Sequence, residues 1–256
     1  MRHEFFDHHR EGNSPLHRFD PRLKLFIMLF FIAAVVITPP DKSILFLFYG
    51  GMLLTLASMS QVSLFHFLGK LLKLYPMIFL ISMFVPFFSI GDDISHRFGF
   101  LTIYENGLHK FLLINVKAVL ALFMSILITT TTDMMLLLKG MEKLRVPKMA
   151  IAIVSFMYRF IFLLIDEVER MILAFQSRYF RLPVLKRLAV FANMIAVLFI
   201  RTFERGERIY LAMEARGFRG EVYTLTELSW KKSDSTALFI FLIFLVGPVI
   251  FVYLNS

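Results

Sequence analysis

Two arginines stand in nearly the same setting within one chain. Arg178 lies in QSRYFR and Arg216 in EARGFRG. Setting one over the other aligns DEVERMILAFQSRYFR (166–181) with ERGERIYLAMEARGFR (204–219) without gaps, and seven of the sixteen positions are identical. A guanidinium keeps its charge and presents a planar fork of donors, so it suits insertion into a carboxylate-lined groove. Two equivalent arginines point to two equivalent acidic pockets, as a dimer or a pair of like subunits would supply. The plainer alternative is a pair of membrane-surface helices whose arginines are solvated or face lipid phosphates.

Other residues able to do chemistry are sparse. Asp92 and Asp93, with His96 and His109, form the best acid/base constellation, and it is a weak one. His3, His8, His9 and His17 match no defined ligand spacing and read as an incidentally His-rich tail. There is no cysteine, which removes disulfides, thiolate metal sites and Cys nucleophiles. Gly69-Lys70 lacks the glycine five residues earlier that a phosphate loop needs, so any ATP must be hydrolysed by another polypeptide.

The elements that must carry the two arginines are long and amphipathic. Met157, Ile161, Leu164, Val168, Met171 and Phe175 recur at helical spacing, as do Phe199, Phe203, Gly206, Tyr210, Met213 and Gly217. Each arginine follows the last bulky residue of its stripe, Phe175 or Met213, by three positions. Gly217 and the Leu182-Pro183 step mark where the helices stop.

Around them the chain is apolar: 58% of its 256 residues are hydrophobic, 31 of them Phe, and its mean hydropathy is +0.71. A soluble domain of this length cannot bury so much apolar surface, so lipid must be part of its solvent. Five stretches read as spans: Leu23–Thr38, Ile44–Ser60, Leu74–Ile90, Phe111–Thr132 and Thr236–Leu254. Asp20 caps the first and Pro21 takes its first helical position. Asp133 can cap a short helix from Met134 to Arg145, limited by Pro147. Runs 149–165, which contains Arg159, and 188–200 are ambiguous. As a spanning hairpin they would place Arg170, Arg178, Arg181, Lys186 and Arg187 outside, against the positive-inside rule. Arg159, in an apolar run, calls for a partner that the sequence does not identify.

The formal charge of +9 belongs to a membrane face and not to nucleic-acid binding. Block 133–232 carries 17 Lys/Arg against 10 Asp/Glu, or +7 of that total. The organisation expected is therefore an N-terminal cytoplasmic tail and four spans over 1–132, a cytoplasmic-side block over 133–232, and a last span over 233–256. The fold class is an all-α integral membrane protein with about five transmembrane helices plus long amphipathic cytoplasmic-side helices. No span contains Asp, Glu or His, so a cation path has no ligands there. Lys117, deep in the fourth span, either snorkels or makes a structural or partner contact. The 15 methionines read as packing and soft subunit contacts.

Several motifs then resemble one family: SPLHRFDPRLKL (14–25), TTTTDMMLLLKGMEKLRVP (129–147), YRFIFLLIDEVERM (158–171) with SRY (177–179), and EARGFRG (214–220). The chain resembles the transmembrane T component of energy-coupling factor (ECF) transporters, an ABC-type class, and specifically the cobalt/nickel type called CbiQ. The resemblance implies two coupling motifs with a central arginine, each docking on one of two ATPase subunits. Carried over, these are Ser177, Arg178 and Tyr179, and Ala215, Arg216 and Gly217; the first departs from the Ala-Arg-Gly form. It also implies a separate substrate-binding membrane subunit, with ATP and magnesium on the ATPases and no cofactor or catalytic residue in this chain. The expected function is energy coupling in a cell-membrane importer for cobalt or nickel ions. A vitamin importer is the alternative, and a membrane enzyme or an autonomous carrier is the rival from another class.

The charge distribution generates a topological prediction. Reporter fusions after Gln61, Leu144 and Ser229 should report the cytoplasm, and fusions near Ser95 and after Asn255 the exterior. An exterior signal from a fusion at Arg181 would replace five spans with seven.

Overall fold

The computed structural model describes residues 14, 16, 19–60, 64–88, 94–98, 101–178, 183–218 and 231–254. Among them the helices are α1 (Pro21–Ile37), α2 (Ser43–Met59), α3 (Leu64–Ser82), α4 (Val85–Phe88), α5 (Glu105–Thr131), α6 (Met134–Lys143), α7 (Lys148–Arg178), α8 (Val184–Ala215) and α9 (Lys232–Leu254). A short antiparallel hairpin, β1 (Ile94–Phe98) and β2 (Leu101–Tyr104), lies between α4 and α5, with a register shift between Ile94 and His96. The protein is an all-α membrane protein apart from this hairpin. It divides into two compact units, one built on α7 and α8, the other on α1–α6 and α9.

Local chemistry sets the entry to the larger unit. The Asp20 side chain accepts a hydrogen bond from the Arg22 backbone N–H at 2.8 Å, and Pro21 fills the first helical position. At the other end of α1, Thr38 Oγ1 donates to the Ala34 carbonyl at 2.7 Å and lies 3.2 Å from the Tyr49 hydroxyl of α2. Phe31, Val35, Tyr49, Leu53, Phe67, Met124, Leu127 and Leu245 form the buried core, drawn from five helices. Its outer surface stays greasy, with Leu47, Phe65 and Leu72 each more than two-thirds exposed. Such a surface is solvated by acyl chains.

α5 is the hub, packing on α1, α2, α3 and α4. Its contacts with α1 include two buried or half-buried lysines. Lys24, near the start of α1, donates to the Thr131 carbonyl and to Thr132 Oγ1, both at 2.9 Å, and so closes the C-terminal end of α5. Lys117, midway along α5, donates to the Val36 and Thr38 carbonyls, both at 2.8 Å, and closes the C-terminal end of α1. It also lies 5.9 Å from the centroid of the Phe46 ring. Of the two readings of Lys117, the structure therefore selects the structural contact. The two helices run antiparallel, and each supplies an ammonium to the other's orphan carbonyls, where cations are favoured.

Polar contacts also tie α3 to α5. The Tyr75 hydroxyl donates to Asn115 Oδ1 at 2.9 Å, Asn115 Nδ2 donates to Ser82 Oγ at 3.0 Å, and Lys70 donates to Thr130 Oγ1 at 3.2 Å. α6 packs on α1 through Gly140, where an added Cβ would stand 3.2 Å from Leu25 Cδ1 and 3.4 Å from the backbone of Pro21 and Arg22.

Several element boundaries differ from the sequence reading. The third apolar element starts at Leu64, ahead of the Leu74 read as the start of that span, and so includes Lys70 and Lys73; it ends at Ser82, with α4 separate. Its ammonium-to-threonine contact lets the helix continue through the charged stretch. α1 and α2 are 17 residues each, about 25 Å at 1.5 Å per residue. By length and composition, Gly107–Thr131, Lys148–Arg178 and Lys232–Val249 are each sufficient to cross a membrane, so α7 is as apolar as a span although most of it reads as ambiguous. Asp133 occupies the N-cap of α6 with extended backbone, but its side chain makes no capping hydrogen bond.

The reciprocal caps give a stability prediction. Lys24→Met leaves a buried carbonyl and hydroxyl without their charged donor, costing about 1.5–3 kcal/mol, and Lys117→Met acts likewise on α1. Thermal unfolding in detergent should show a lowered midpoint for each. Unchanged midpoints in both would remove the caps from the account of stability.

Candidate functional site

The two arginines sit on one unit. α7 and α8 make three contacts whose order is that of antiparallel helices: Phe175 with Phe191 (ring centroids 5.1 Å), Glu167 with Arg201 (2.7 Å), and Phe156 with Phe218 (6.0 Å). Each C-terminal end therefore lies at an opposite end of the pair. The 32 residues of α8 alone span about 48 Å. Ser177 and Arg178 are thus brought together at one end, and Ala215, Arg216 and Gly217 at the other. The structure does not gather the two motifs into one site.

At the first end, Arg178 is the last residue of α7 and is exposed. Ser177 Oγ donates back to the Leu173 carbonyl at 2.9 Å, which holds that side chain against its own helix. Tyr179 and Arg181 lie outside the described residues. Pro183 occupies the N-cap of α8, where its lack of an N–H costs nothing.

At the second end the chain makes a Schellman turn. The Phe218 N–H donates to the Met213 carbonyl at 3.0 Å and the Gly217 N–H to the Glu214 carbonyl at 2.9 Å. Gly217 has φ +83°, a left-handed conformation that favours glycine. Phe218 then turns its ring edge-on to Phe156 of α7, anchoring the turn. Arg216 is the C-cap residue itself, exposed, on a backbone fixed from both sides. Neither Arg178 nor Arg216 forms an ion pair among the described residues. A guanidinium exposed at the end of a long helix, and unpaired among the described residues, is placed to enter an acidic groove. Arg219 lies outside the described residues.

The apolar stripes divide differently from the periodicity alone. Leu164, Val168, Met171 and Phe175 are half-buried, whereas Met157 and Ile161 are exposed. On α8 the predicted stripe faces away from α7: Phe199, Phe203 and Tyr210 are 71%, 67% and 54% exposed. The half-buried line is Val190, Met194, Leu198, Thr202, Arg205, Ile209 and Met213. The signal for it was present in the sequence, as apolar residues four apart, but the polar Thr202 and Arg205 interrupted it. Arg159 is exposed and forms no ion pair among the described residues. Asp92, Asp93 and the four N-terminal histidines lie outside the described residues.

Sequence comparison bears on the same segments. Residues 12–226 match the family CbiQ, described as cobalt transport protein. Among curated relatives, the energy-coupling factor transporter transmembrane protein EcfT of Streptococcus equi subsp. equi is 30% identical over 94% of this chain and 93% of its own length. EcfT of Brevibacillus brevis is 31% identical over 92% and 94%, and EcfT of Listeria innocua 31% over 82% of each chain. The match begins before α1 and ends beyond Gly217, so it takes in both arginine motifs and the helices that carry them. This chain belongs to the CbiQ family and is a transmembrane T component of the energy-coupling factor type.

Proposed function

We propose that this chain couples two ATPase subunits to a separate substrate-binding membrane subunit, with Arg178 and Arg216 as the two docking points. The observation that carries the reading is their placement: exposed arginines at the two opposite ends of an antiparallel pair of long helices. Rods of this length transmit displacement, because a backbone hydrogen-bonded throughout does not shorten under load. Ser177 and Tyr179 flank one docking point, Ala215 and Gly217 the other. ATP and magnesium belong to the ATPases, and the chain is a non-catalytic subunit. Its N-terminus and the basic block 133–232 are cytoplasmic on the charge argument.

The cargo in this reading is a cobalt or nickel ion, of which the family description names cobalt. A vitamin is the alternative, since the relatives' names specify no cargo. A metal-ion cargo passes elsewhere, because none of the five stretches read as spans offers a carboxylate or histidine to a cation.

Charge reversal tests the docking points. Arg178→Glu and Arg216→Glu should each impair uptake by the reconstituted transporter while leaving membrane insertion intact, and the double variant should lose the ATPases on purification. Removing one partner of a buried charged pair costs about 2–5 kcal/mol. A double variant that keeps its ATPases and transports normally would reduce the repeat to two membrane-surface helices.

The Schellman turn yields a separate prediction. Gly217→Val places a β-branched residue at φ +83°, a strain of about 1–3 kcal/mol. The last turn of α8 should then fray, giving faster amide exchange at position 217 and at Phe218 and weaker ATPase retention with Arg216 still present. Unaltered exchange there would show that the turn does not depend on glycine.

A further inference from the structure

Between the two docking points, α7 and α8 enclose a cleft of about 240 Å³ lined by Leu164, Glu167, Arg201, Thr202, Glu204, Arg205 and Arg208. Arg201, Arg205 and Arg208 lie on one face of α8 at spacings of four and three. Glu167, its side chain 14% exposed, already takes two cations, Arg201 at 2.7 Å and Arg170 at 3.1 Å. Three arginines thus line the cleft with two carboxylates, and Arg170 pairs with Glu167 beside it. Arg205 and Arg208 form no ion pair among the described residues. A cleft lined by one guanidinium more than its carboxylates, with Arg205 and Arg208 outside any such pair, is a receptor for negative charge.

The repeat makes this charge one-sided. The repeat alignment, extended back by three residues, sets Leu163 over Arg201 and Glu167 over Arg205. Arg208 has a counterpart in Arg170, but Arg201 and Arg205 have none, so the two arms differ in charge at these positions. The cleft also lies on the opposite side of α8 from Phe199, Phe203 and Tyr210, since residues two apart on a helix point in nearly opposite directions. If that apolar face meets lipid, the cleft turns away from it, which disfavours a phospholipid headgroup as occupant.

We propose that this cleft receives an acidic segment of the ATPase pair, a third contact midway between Arg178 and Arg216. Charge complementarity identifies the occupant's chemistry, and position identifies its source: a partner that engages both ends must pass across the middle. The inference rests on the docking reading above. In that assembly the central contact breaks the equivalence of the two arms, so that a chain with matched ends presents different charge to two like subunits.

The test uses the assembled transporter. Arg205→Gln with Arg208→Gln should weaken ATPase retention about tenfold and lower the salt concentration that strips the ATPases, with Arg178 and Arg216 intact. Because the chain has no cysteine, Arg208→Cys gives a unique thiol for a photoactivatable maleimide. Mass spectrometry should map its cross-link to an Asp/Glu-rich segment of an ATPase subunit. Cross-links confined to lipid or to this chain, unchanged salt sensitivity of the double variant, or protection of the thiol by inorganic phosphate without ATPases would each overturn the proposal. The docking reading would survive those results as long as the unsubstituted chain retains its ATPases and the Arg178→Glu, Arg216→Glu variant loses them.

Discussion

The membrane unit depends on two ammonium groups placed where lipid can do nothing for a backbone carbonyl. A helix ends with four carbonyls that have no partner within it, and hydrocarbon supplies none. Here the C-terminal ends of α1 and α5 are each closed by a lysine from the other helix. The arrangement is self-limiting in register: sliding one helix by a turn would draw both ammoniums off their carbonyls at once. Since α5 also carries the contacts to α2, α3 and α4, the register of that single pair sets where the remaining helices can pack. Buried lysine is costly in general, yet these two offset the cost by satisfying groups that would otherwise be orphaned.

The unit built on α7 and α8 follows the opposite logic. No residue of α8 is buried, and the contacts between the two helices include two aromatic pairs and one shared carboxylate. Its large apolar residues, Phe199, Phe203 and Tyr210 among them, remain uncovered within the chain. A membrane unit closed by internal caps is suited to stay still. Two long helices with little holding them together, and with apolar and charged faces unsatisfied, are suited to take their final geometry from what binds them.

Legibility in the sequence follows the range of the interaction. Asp20 with Pro21, and the stop at Gly217, were readable because caps and turns are decided within four residues. The helical stripes were readable because periodicity is local as well, and the arginine repeat because its two copies align without a gap. What escaped was set by partners far along the chain. The role of Lys24 is invisible locally, as its acceptors lie 107 and 108 residues away. Lys117 stayed undecided for the same reason. Lys70 and Lys73 made a helix look like a loop, because nothing near them in sequence announces Thr130. Periodicity showed that α8 has an apolar face without showing that α7 covers a different one.

That last distinction has a functional consequence. Had α8 buried Phe199, Phe203 and Tyr210 against α7, the arginines on the other side would have faced outward singly, as ordinary solvated charges. Instead α8 turns toward α7 the line that contains Thr202 and Arg205, and this draws Arg201 onto Glu167 and gathers the basic residues around one cleft. The helix accepts a polar interface within the unit and leaves its better apolar surface free. For an isolated protein that would be a poor use of apolar area, at roughly 25 cal/mol per Å². Such a surface calls for cover from outside the unit, which acyl chains or a partner subunit of the transporter can supply.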